Sequence, residues 1–304
     1  MNLSIIIVAH NSSNQIAACV RSITPLPGGA EIIVLDNGSA DDTAAQVRPL
    51  AGCRLILSHQ NLGFAKAANR AAVSATGRYL LFLNPDLQFT DGSPADLIEF
   101  AQARPRLGAL TPMLLDPAGR TQFSGGRFPS LLGAIHALYP WRGHRRVIPT
   151  GEGEVDWILG AAMLLPAQLF RSIGGFDEKY FLYGEDKDLC RRIRDRGRTV
   201  HLTDSVRALH LGGGSGGRPA HLGRYFYRAQ ARYLSKFHRP LHRAIHALLL
   251  MTSAATKIAA SAPLAAFPTR GRDARRRIAF HWGATPDGWS LSCPTGPIQT
   301  RSGQ

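Results

Sequence analysis

The chain has 304 residues, 44% of them hydrophobic, enough for a sizeable core in one large domain or in one domain with an extension. Cys19, Cys53, Cys190 and Cys293 are widely spaced with no CxxC pair, which points to a reducing compartment and away from a structural zinc site. The net charge of +15 is concentrated, because residues 218–277 hold thirteen Lys or Arg against the single acid Asp273, and such a surface attracts nucleic acid, anionic lipid or a nucleotide diphosphate.

Met1-Asn2-Leu3-Ser4 runs directly into an apolar segment, with no basic n-region and no small-residue cleavage site, so no signal peptide is expected and a cytoplasmic location is. Residues 3–9 are rich in β-branched side chains and predict a buried strand. The same signal recurs at 31–36, 54–57 and 79–83, with helices expected at 14–24, 41–49 and 65–75. This alternation implies βαβ units and a mostly parallel sheet flanked by helices, an α/β fold of the Rossmann-like kind. Residues 112–150 read as loops with a short helix near 130–138, and 155–165 returns to strand character. A helix beginning near Gly184 ends before Gly197, 199–202 predicts a short strand, 211–217 is a glycine-rich loop and 222–237 is helical.

Ligands of such sheets gather at the carboxyl ends of the strands, where the polar residues of this chain fall. His10-Asn11 follows the first strand, Asp36-Asn37-Gly38-Ser39 the second and Asn84-Pro85-Asp86 the fourth. Neither GxGxxG nor a P-loop follows the first strand, which leaves a dinucleotide fingerprint unsupported. Asp36 can accept hydrogen bonds from a base or ribose, or belong only to a turn and cap. Asn61-Leu62-Gly63-Phe64 is a glycine turn feeding an alanine-rich helix, on which Asn69 either faces a ligand or bonds locally. Asp86 can hold Mg²⁺ or Mn²⁺ together with the phosphates of a substrate, or be one corner of a β-turn. Downstream, Glu185-Asp186-Lys187-Asp188 opens a helix whose face of Asp186, Leu189 and Ile193 turns inward, while Asp188 and Arg192 stand four apart and can pair. There Asp186 can accept a proton from a bound hydroxyl, or simply decorate a helix N-terminus. Asp156-Trp157, Phe181 and Tyr183 can line a sugar site or pack the core, and His210 can complete the Asp86 metal site or be structural.

These segments, in this order from about residue 3 to 240, resemble the inverting GT-A glycosyltransferases of family 2, in particular their rhamnosyltransferase-like bacterial branch. The resemblance implies a nucleotide-sugar donor bound by His10, Asn11, Asp36, Asn37, Asn61, Gly63, Asn69, Asn84 and Asp86. It implies a metal at Asp86 and His210, a general base at Asp186, and acceptor contacts from Asp156, Trp157, Phe181, Tyr183 and Glu185. Asn84 departs from the Asp-x-Asp of many relatives and removes one charge beside the diphosphate. The expected organisation is a GT-A catalytic domain over 1–217, its donor half about 1–110 and its acceptor half about 111–217, followed by a basic helical extension over 218–304. The implied reaction is a single displacement, with dTDP-rhamnose ahead of UDP-hexoses as donor and a glycan or polyprenyl-diphosphate-linked acceptor in cell-wall or surface-polysaccharide synthesis.

In the extension, Arg224, Arg228, Arg232 and Lys236 form one basic stripe and the aromatics much of the opposite face. The apolar run 245–267 follows, so the expectation is helices lying peripherally on the inner leaflet with arginines on anionic headgroups. A homodimer is compatible with this reading. A nucleic-acid-binding protein is the competing one, but no helix-turn-helix, zinc-finger or RNP pattern accompanies the charge. A nucleotidyltransferase ranks below it, because Ala9-His10-Asn11-Ser12-Ser13 is not a glycine-rich basic loop.

Overall fold

The computed structural model describes residues 3–24, 27–130, 152–212, 222–266 and 271–282. Strands β1 (Leu3–Ala9), β2 (Glu31–Asn37), β3 (Cys53–Ser58) and β4 (Tyr79–Leu83) pair in parallel in the order β3-β2-β1-β4. Helices α1 (Ile16–Ser22), α2 (Thr43–Val47) and α3 (Phe64–Val73) carry the crossovers and are each shorter than the spacing predicts. For α2 the reason is visible: Asp41 accepts the main-chain N–H groups of Ser13 and Thr43, which ties the preceding loop to the one after β1.

Beyond β4 come β5 (Leu87–Asp91), α4 (Pro94–Gln102) and β6 (Leu107–Leu115), none of which the sequence analysis resolves. Ser93 and Asp96 close a capping box at the start of α4, with Pro94 in its first turn. The short strands β7 (Gly125–Gly126), β8 (Gly153–Val155) and β9 (Trp157–Ile158) precede β10 (Ala162–Pro166). The apolar run 155–165 is therefore broken at residues 159–161, where the chain leaves one strand and enters another. Next are α5 (Ala167–Ser172), α6 (Glu185–Asp195) and β11 (Thr199–His210). The strand expected at 199–202 runs on to His210. A register shift between Thr203 and Arg207 absorbs Asp204 and Ser205, which read as a break in the pattern. The helix expected near 130–138 and most of the 211–217 loop lie outside the described residues.

The complete order is β3-β2-β1-β4-β10-β6-β11-β5, with β8 also on β11. The first half is wholly parallel and β6–β11 is parallel too, whereas β10, β5 and β8 run antiparallel to their neighbours. Period-two alternation along β1 and β4 splits the core between two faces. Ile5, Ile7, Leu81 and Leu83 pack with α1 and α4, while Ile6, Leu80 and Phe82 pack with α3, α5 and α6.

Three helices complete the chain: α7 (Gly223–Phe237), α8 (Pro240–Ser261) and α9 (Gly271–Trp282), joined by a small cluster of Tyr227, Ala254 and Phe280. The basic stripe of α7, expected to face lipid headgroups, turns inward at its C-terminal end. Arg232 donates to Asp177, and Lys236 donates to Asp177 at 2.9 Å and to Asp188 at 2.7 Å. Asp188 is fully buried and also holds Arg192 at 2.7 Å, the i,i+4 pair that the sequence predicts. These carboxylates need cations in contact, and α7 brings two of them. Burial opposes ionisation of Asp177, yet Lys236 and Arg232 hold its carboxyl down at about 2.

Lys236→Met removes one of the two cations on Asp188. We expect a loss of about 2 kcal/mol in urea denaturation, below the ~3–5 kcal/mol of a fully buried ion because Arg192 remains and Lys236 is 31% exposed. Arg104→Met, at the exposed pair with Glu152, should cost under ~1 kcal/mol. Equal costs for the two variants would contradict an internal role for the α7 cations.

Candidate functional site

The parallel strands deliver their polar ends to one edge of the sheet. Asp36 is buried at the end of β2, and its Oδ1 accepts the N–H and hydroxyl of Ser39. Among the described residues nothing bonds to Asp36 Oδ2, which leaves an acceptor at the strand end for a base or ribose. Around it the candidates brace one another. His10 Nδ1 bonds Asn37 O at 3.1 Å, and Asn11, at φ 51°, accepts the Ala40 N–H. Asn37 donates to Asn61 Oδ1 at 3.0 Å and accepts the Leu62 N–H at 2.8 Å. Gly63, at φ +78°, has no room for a side chain, since a Cβ would stand 2.5 Å from Phe181 O. Phe64 N donates to that same oxygen, so the turn after β3 rests directly on the chain before α6.

Asn69 braces the chain before α6. Its Nδ2 donates to Phe176 O at 2.9 Å and to Glu178, and its Oδ1 accepts the Phe176 N–H at 2.9 Å. Both ends of the amide are committed to clamping the Gly174-Gly175-Phe176 segment, so the side chain does not present a free group to a ligand.

Asp86 follows β4, and His210 ends β11, which pairs with β5. Their approach is 3.6 Å from Nε2 to Oδ1. The Nδ1–H of His210 donates to Gln122 Oε1 at 3.0 Å, and Gln122 Nε2 donates back to His210 O at 2.8 Å. That arrangement leaves the Nε2 lone pair facing Asp86, where Asn84 Nδ2 also stands at 3.4 Å. Burial lowers the His210 pKa against the pull of Asp86, so the imidazole is kept neutral, the form that ligates metals. Gly212 closes the corner, since a Cβ there would stand 2.1 Å from Asp86 Oδ2. A carboxylate oxygen and a neutral imidazole nitrogen fit a divalent cation that draws its remaining ligands from phosphate. No cluster of three or more His, Cys, Asp or Glu able to hold a metal alone occurs among the described residues. Gln122, which fixes the tautomer, carries no sequence signal of its own.

Glu185 and Asp186 open α6 after Gly184, which takes the left-handed conformation at φ +84°. Both carboxylates are buried, but their surroundings differ. Asp186 accepts the N–H of Gly160 at 3.1 Å and of Lys187 at 2.7 Å. Glu185 Oε2 has no partner among the described residues. Burial raises the Asp186 pKa while Lys187 and the two N–H donors oppose it; for Glu185, burial and the charge of Asp186 push the carboxyl up to about 8. Glu185 therefore keeps its proton near neutrality, while the donors around Asp186 favour its charged form against the effect of burial. Asp186 opens onto a small cavity of about 60 Å³ walled by Trp157, Tyr183, Lys187, Phe226, Gln230 and Tyr233. Lys187 Nζ lies 4.6 Å above the Trp157 ring. Phe226, Gln230 and Tyr233 come from α7, so the extension furnishes one wall of this cavity.

Three acceptor candidates lie elsewhere. Asp156 accepts the Phe128 N–H and pairs with Arg127 at 3.3 Å, bracing β9. Phe181 stacks on Tyr225 with ring centroids 5.0 Å apart. Glu185 is adjacent to Asp186 but does not line the cavity. The metal corner and the acid pair meet across one dipeptide: Ala161 O accepts the Asn84 N–H at 2.8 Å, and Gly160 N donates to Asp186.

Residues 4–145 match the model of glycosyl transferase family 2, and residues 151–211 match that of the N-terminal domain of galactosyltransferase. The N-acetylglucosaminyl-diphospho-decaprenol L-rhamnosyltransferase of Mycobacterium tuberculosis is 33% identical over 210 residues, covering 62% of this chain and 68% of that protein. Rhamnosyltransferase WbbL of Escherichia coli is 28% identical over 218 residues, covering 68% of this chain and 82% of that one. Among solved structures, a mannosyltransferase from Pyrobaculum calidifontis in complex with GDP-Man and Mn²⁺ superposes with a TM-score of 0.57 at 16% identity, covering 94% of this chain and 87% of that chain. TarS of Staphylococcus aureus superposes at 0.52 with 15% identity, covering 93% and 89%. The fold shared with these glycosyltransferases is GT-A.

Glu185 provides a titration to follow. Its folded pKa of about 8 lies above the ordinary ~4.3 of an unfolded glutamate. The stability it contributes is complete below the unfolded value and is lost as pH rises through the folded one. Urea denaturation across pH 4–9 should show Glu185→Gln with a flatter decline than the parent between about pH 4.5 and 8. Parallel curves would mean that Glu185 is ionised in the folded protein.

Proposed function

Because the chain belongs to glycosyl transferase family 2, we propose that it transfers rhamnose from dTDP-rhamnose to a hydroxyl of an N-acetylglucosaminyl-diphospho-polyprenol, with inversion at the anomeric carbon. The observation that carries the mechanism is the pairing of a buried, twice hydrogen-bonded Asp186 with the Asp86–His210 corner on the other side of Gly160-Ala161. The donor's nucleoside lies against Asp36, and its diphosphate lies at Asp86 beneath the main chain of Gly212. The acceptor sugar enters the aromatic cavity, its hydroxyl against Asp186. Asp186 takes the hydroxyl proton, the acceptor oxygen bonds to C1 of the donor sugar, and the bond from C1 to the diphosphate oxygen breaks on the opposite side. The nucleoside diphosphate leaves with the electron pair. Mg²⁺ or Mn²⁺, held by Asp86 and His210 Nε2 when bound, offsets the charge on the leaving diphosphate. Rhamnose as the donor sugar is supported by both rhamnosyltransferase relatives, and the lipid-linked acceptor by the mycobacterial one.

A screen of dTDP-, UDP- and GDP-sugars with Mg²⁺ or Mn²⁺, with and without chelator, tests donor and metal together. Transfer from dTDP-rhamnose that chelator abolishes is the expected result, and turnover confined to a different sugar would reject the donor. Asp186→Asn should leave nucleotide-sugar affinity nearly unchanged and lower turnover by on the order of 10²–10⁴. Turnover near that of the parent would remove Asp186 as the base.

The same reading places the protein in the cytoplasm, peripheral on the inner face of the membrane that carries the acceptor. Helix α8, 22 residues long, is long and apolar enough to cross a bilayer by length and composition. It exposes Leu241, Ile245, Leu248 and Met251 along one side while its opposite side packs inward, which favours lying on the surface. Flotation with phosphatidylglycerol liposomes should be lost in the double variant Leu241→Glu/Leu248→Glu. Undiminished flotation would show that another surface makes the contact.

A further inference from the structure

The inward side of α8 and the turn before it carry three histidines at i, i+4 and i+8 that the transfer chemistry does not use. His238 and His242 stack with ring centroids 4.3 Å apart, and His242 and His246 with centroids 6.0 Å apart. His246 is only 5% exposed. One ring nitrogen on each is buried and has no hydrogen-bond partner among the described residues: His238 Nε2, His242 Nε2 and His246 Nδ1. Leaving a buried polar atom unsatisfied costs about 1–3 kcal/mol, and three in a row is a repeated cost that a ligand would offset. Stacked rings cannot converge on one metal ion, and no metal-holding cluster includes them. In a suitable tautomer each of these nitrogens carries a hydrogen, so the ladder can present three donors in line.

The charges around the ladder have one predominant sign. Lys187 and Arg191 face it from α6, and Arg239 and Arg243 flank it on its own segment. The acids near those α6 cations are Asp186 and Asp188, on either side of Lys187, and Asp195, paired with Arg191 at 3.0 Å; Asp188 is itself paired with Arg192 and Lys236. From α7 it meets Tyr233, whose ring lies 6.1 Å from that of His238. Burial, a neighbouring histidine and Arg191 lower the pKa of His238, and burial, the other two histidines and Lys187 lower that of His246 to about 4, so these two rings are neutral until an anion arrives.

The ladder also has a defined place. Tyr233 and Lys187 wall the cavity in front of Asp186 as well as touching the histidine region. On the adjoining faces of the same two helices, Leu234, Arg243, Ala247 and Leu250 line an apolar groove of about 340 Å³ between α7 and α8. Through Tyr233 and the α8 face beside it, the ladder adjoins both the small cavity at Asp186 and the apolar groove between α7 and α8.

We propose that His238, His242 and His246, with Lys187, hold the diphosphate of a lipid-linked acceptor, whose hydrocarbon runs into the groove between α7 and α8. The inference rests on the reading of the acceptor given above and extends it to the residues that recognise the acceptor's diphosphate. The acceptor sugar then lies toward Asp186, with the phosphates on the ladder and the lipid beyond them. Bound phosphate favours imidazolium, so binding takes up protons and tightens as pH falls.

The test uses the full chain with ¹³C-labelled histidine, in chelator so that the Asp86 corner is not loaded with metal. The ladder signals are assigned through His238→Gln, His242→Gln and His246→Gln. Inorganic pyrophosphate and geranyl diphosphate should each shift all three signals together in the parent protein. Affinity should rise at least roughly threefold from pH 8 to pH 6, and geranyl diphosphate should bind more tightly than pyrophosphate. Glycerol phosphate, the headgroup chemistry without a bilayer, should leave these signals in place. Signals unmoved by either diphosphate at millimolar concentration overturn the proposal, as do equal shifts from glycerol phosphate or affinities indifferent to pH. Nucleotide-sugar hydrolysis measured on the same sample separates the two readings. Turnover without ladder shifts overturns the ladder assignment alone, whereas ladder shifts without turnover of any sugar nucleotide retain the anion site and overturn the transferase reading.

Discussion

The catalytic geometry depends on one antiparallel strand laid against the last strand of a parallel sheet. β10 pairs with β4 from Ala162 opposite Leu83 to Pro166 opposite Tyr79. That register brings the two residues before β10 to the mouth of β4, where Ala161 O accepts the Asn84 N–H and Gly160 N reaches Asp186. The Asp86–Asn84 corner and the Asp186 carboxylate are thereby fixed by successive peptide groups and not by long side chains. Because side chains alternate along a strand, a slip of one residue in this pairing would turn Met163 and Leu165 away from their core. The core therefore enforces the register that the chemistry needs.

A second constraint is electrostatic. Asp177 and Asp188 are carboxylates that the α5–α6 segment and α6 withdraw from water, and α7 returns the cations Arg232 and Lys236 to them. These ion pairs set the position of α7, and that position puts Phe226, Gln230 and Tyr233 around the Asp186 cavity. Charge compensation inside the fold and construction of one wall of this cavity are one event in this molecule. The basic character of the last third of the chain is therefore partly internal, and net charge alone overstates the cationic surface that remains.

Much of the donor half was legible. Asp36 and Asp86 stand at strand ends because β-branched runs alternating with small-residue helices admit few other arrangements. Asp186 was legible for a different reason, since the spacing to Leu189 and Ile193 fixes its inward face. What escaped depends on partners distant in the chain. Gln122 reaches a histidine 88 residues away. β11 continues past Asp204 and Ser205 only because β6 and β5 supply pairing on both sides. Nothing local reveals that a chain 107 residues away occupies both ends of the Asn69 amide. The inward turn of Lys236 was hidden in the same way, because a basic stripe reads as solvated unless the buried acids it meets are known.

The backbone contact between Gly63 and Phe181 has a thermodynamic corollary. The donor-side turn and the segment leading to Tyr183, itself held at φ 70°, touch without intervening side chains. A nucleotide that displaces the turn must displace this segment as well, and so alter the floor on which the second substrate rests. Such coupling is symmetrical by linkage: whatever affinity the first ligand lends the second, the second lends back. A ligand that moves either side of this contact therefore has a binding constant that depends on the occupancy of the other side.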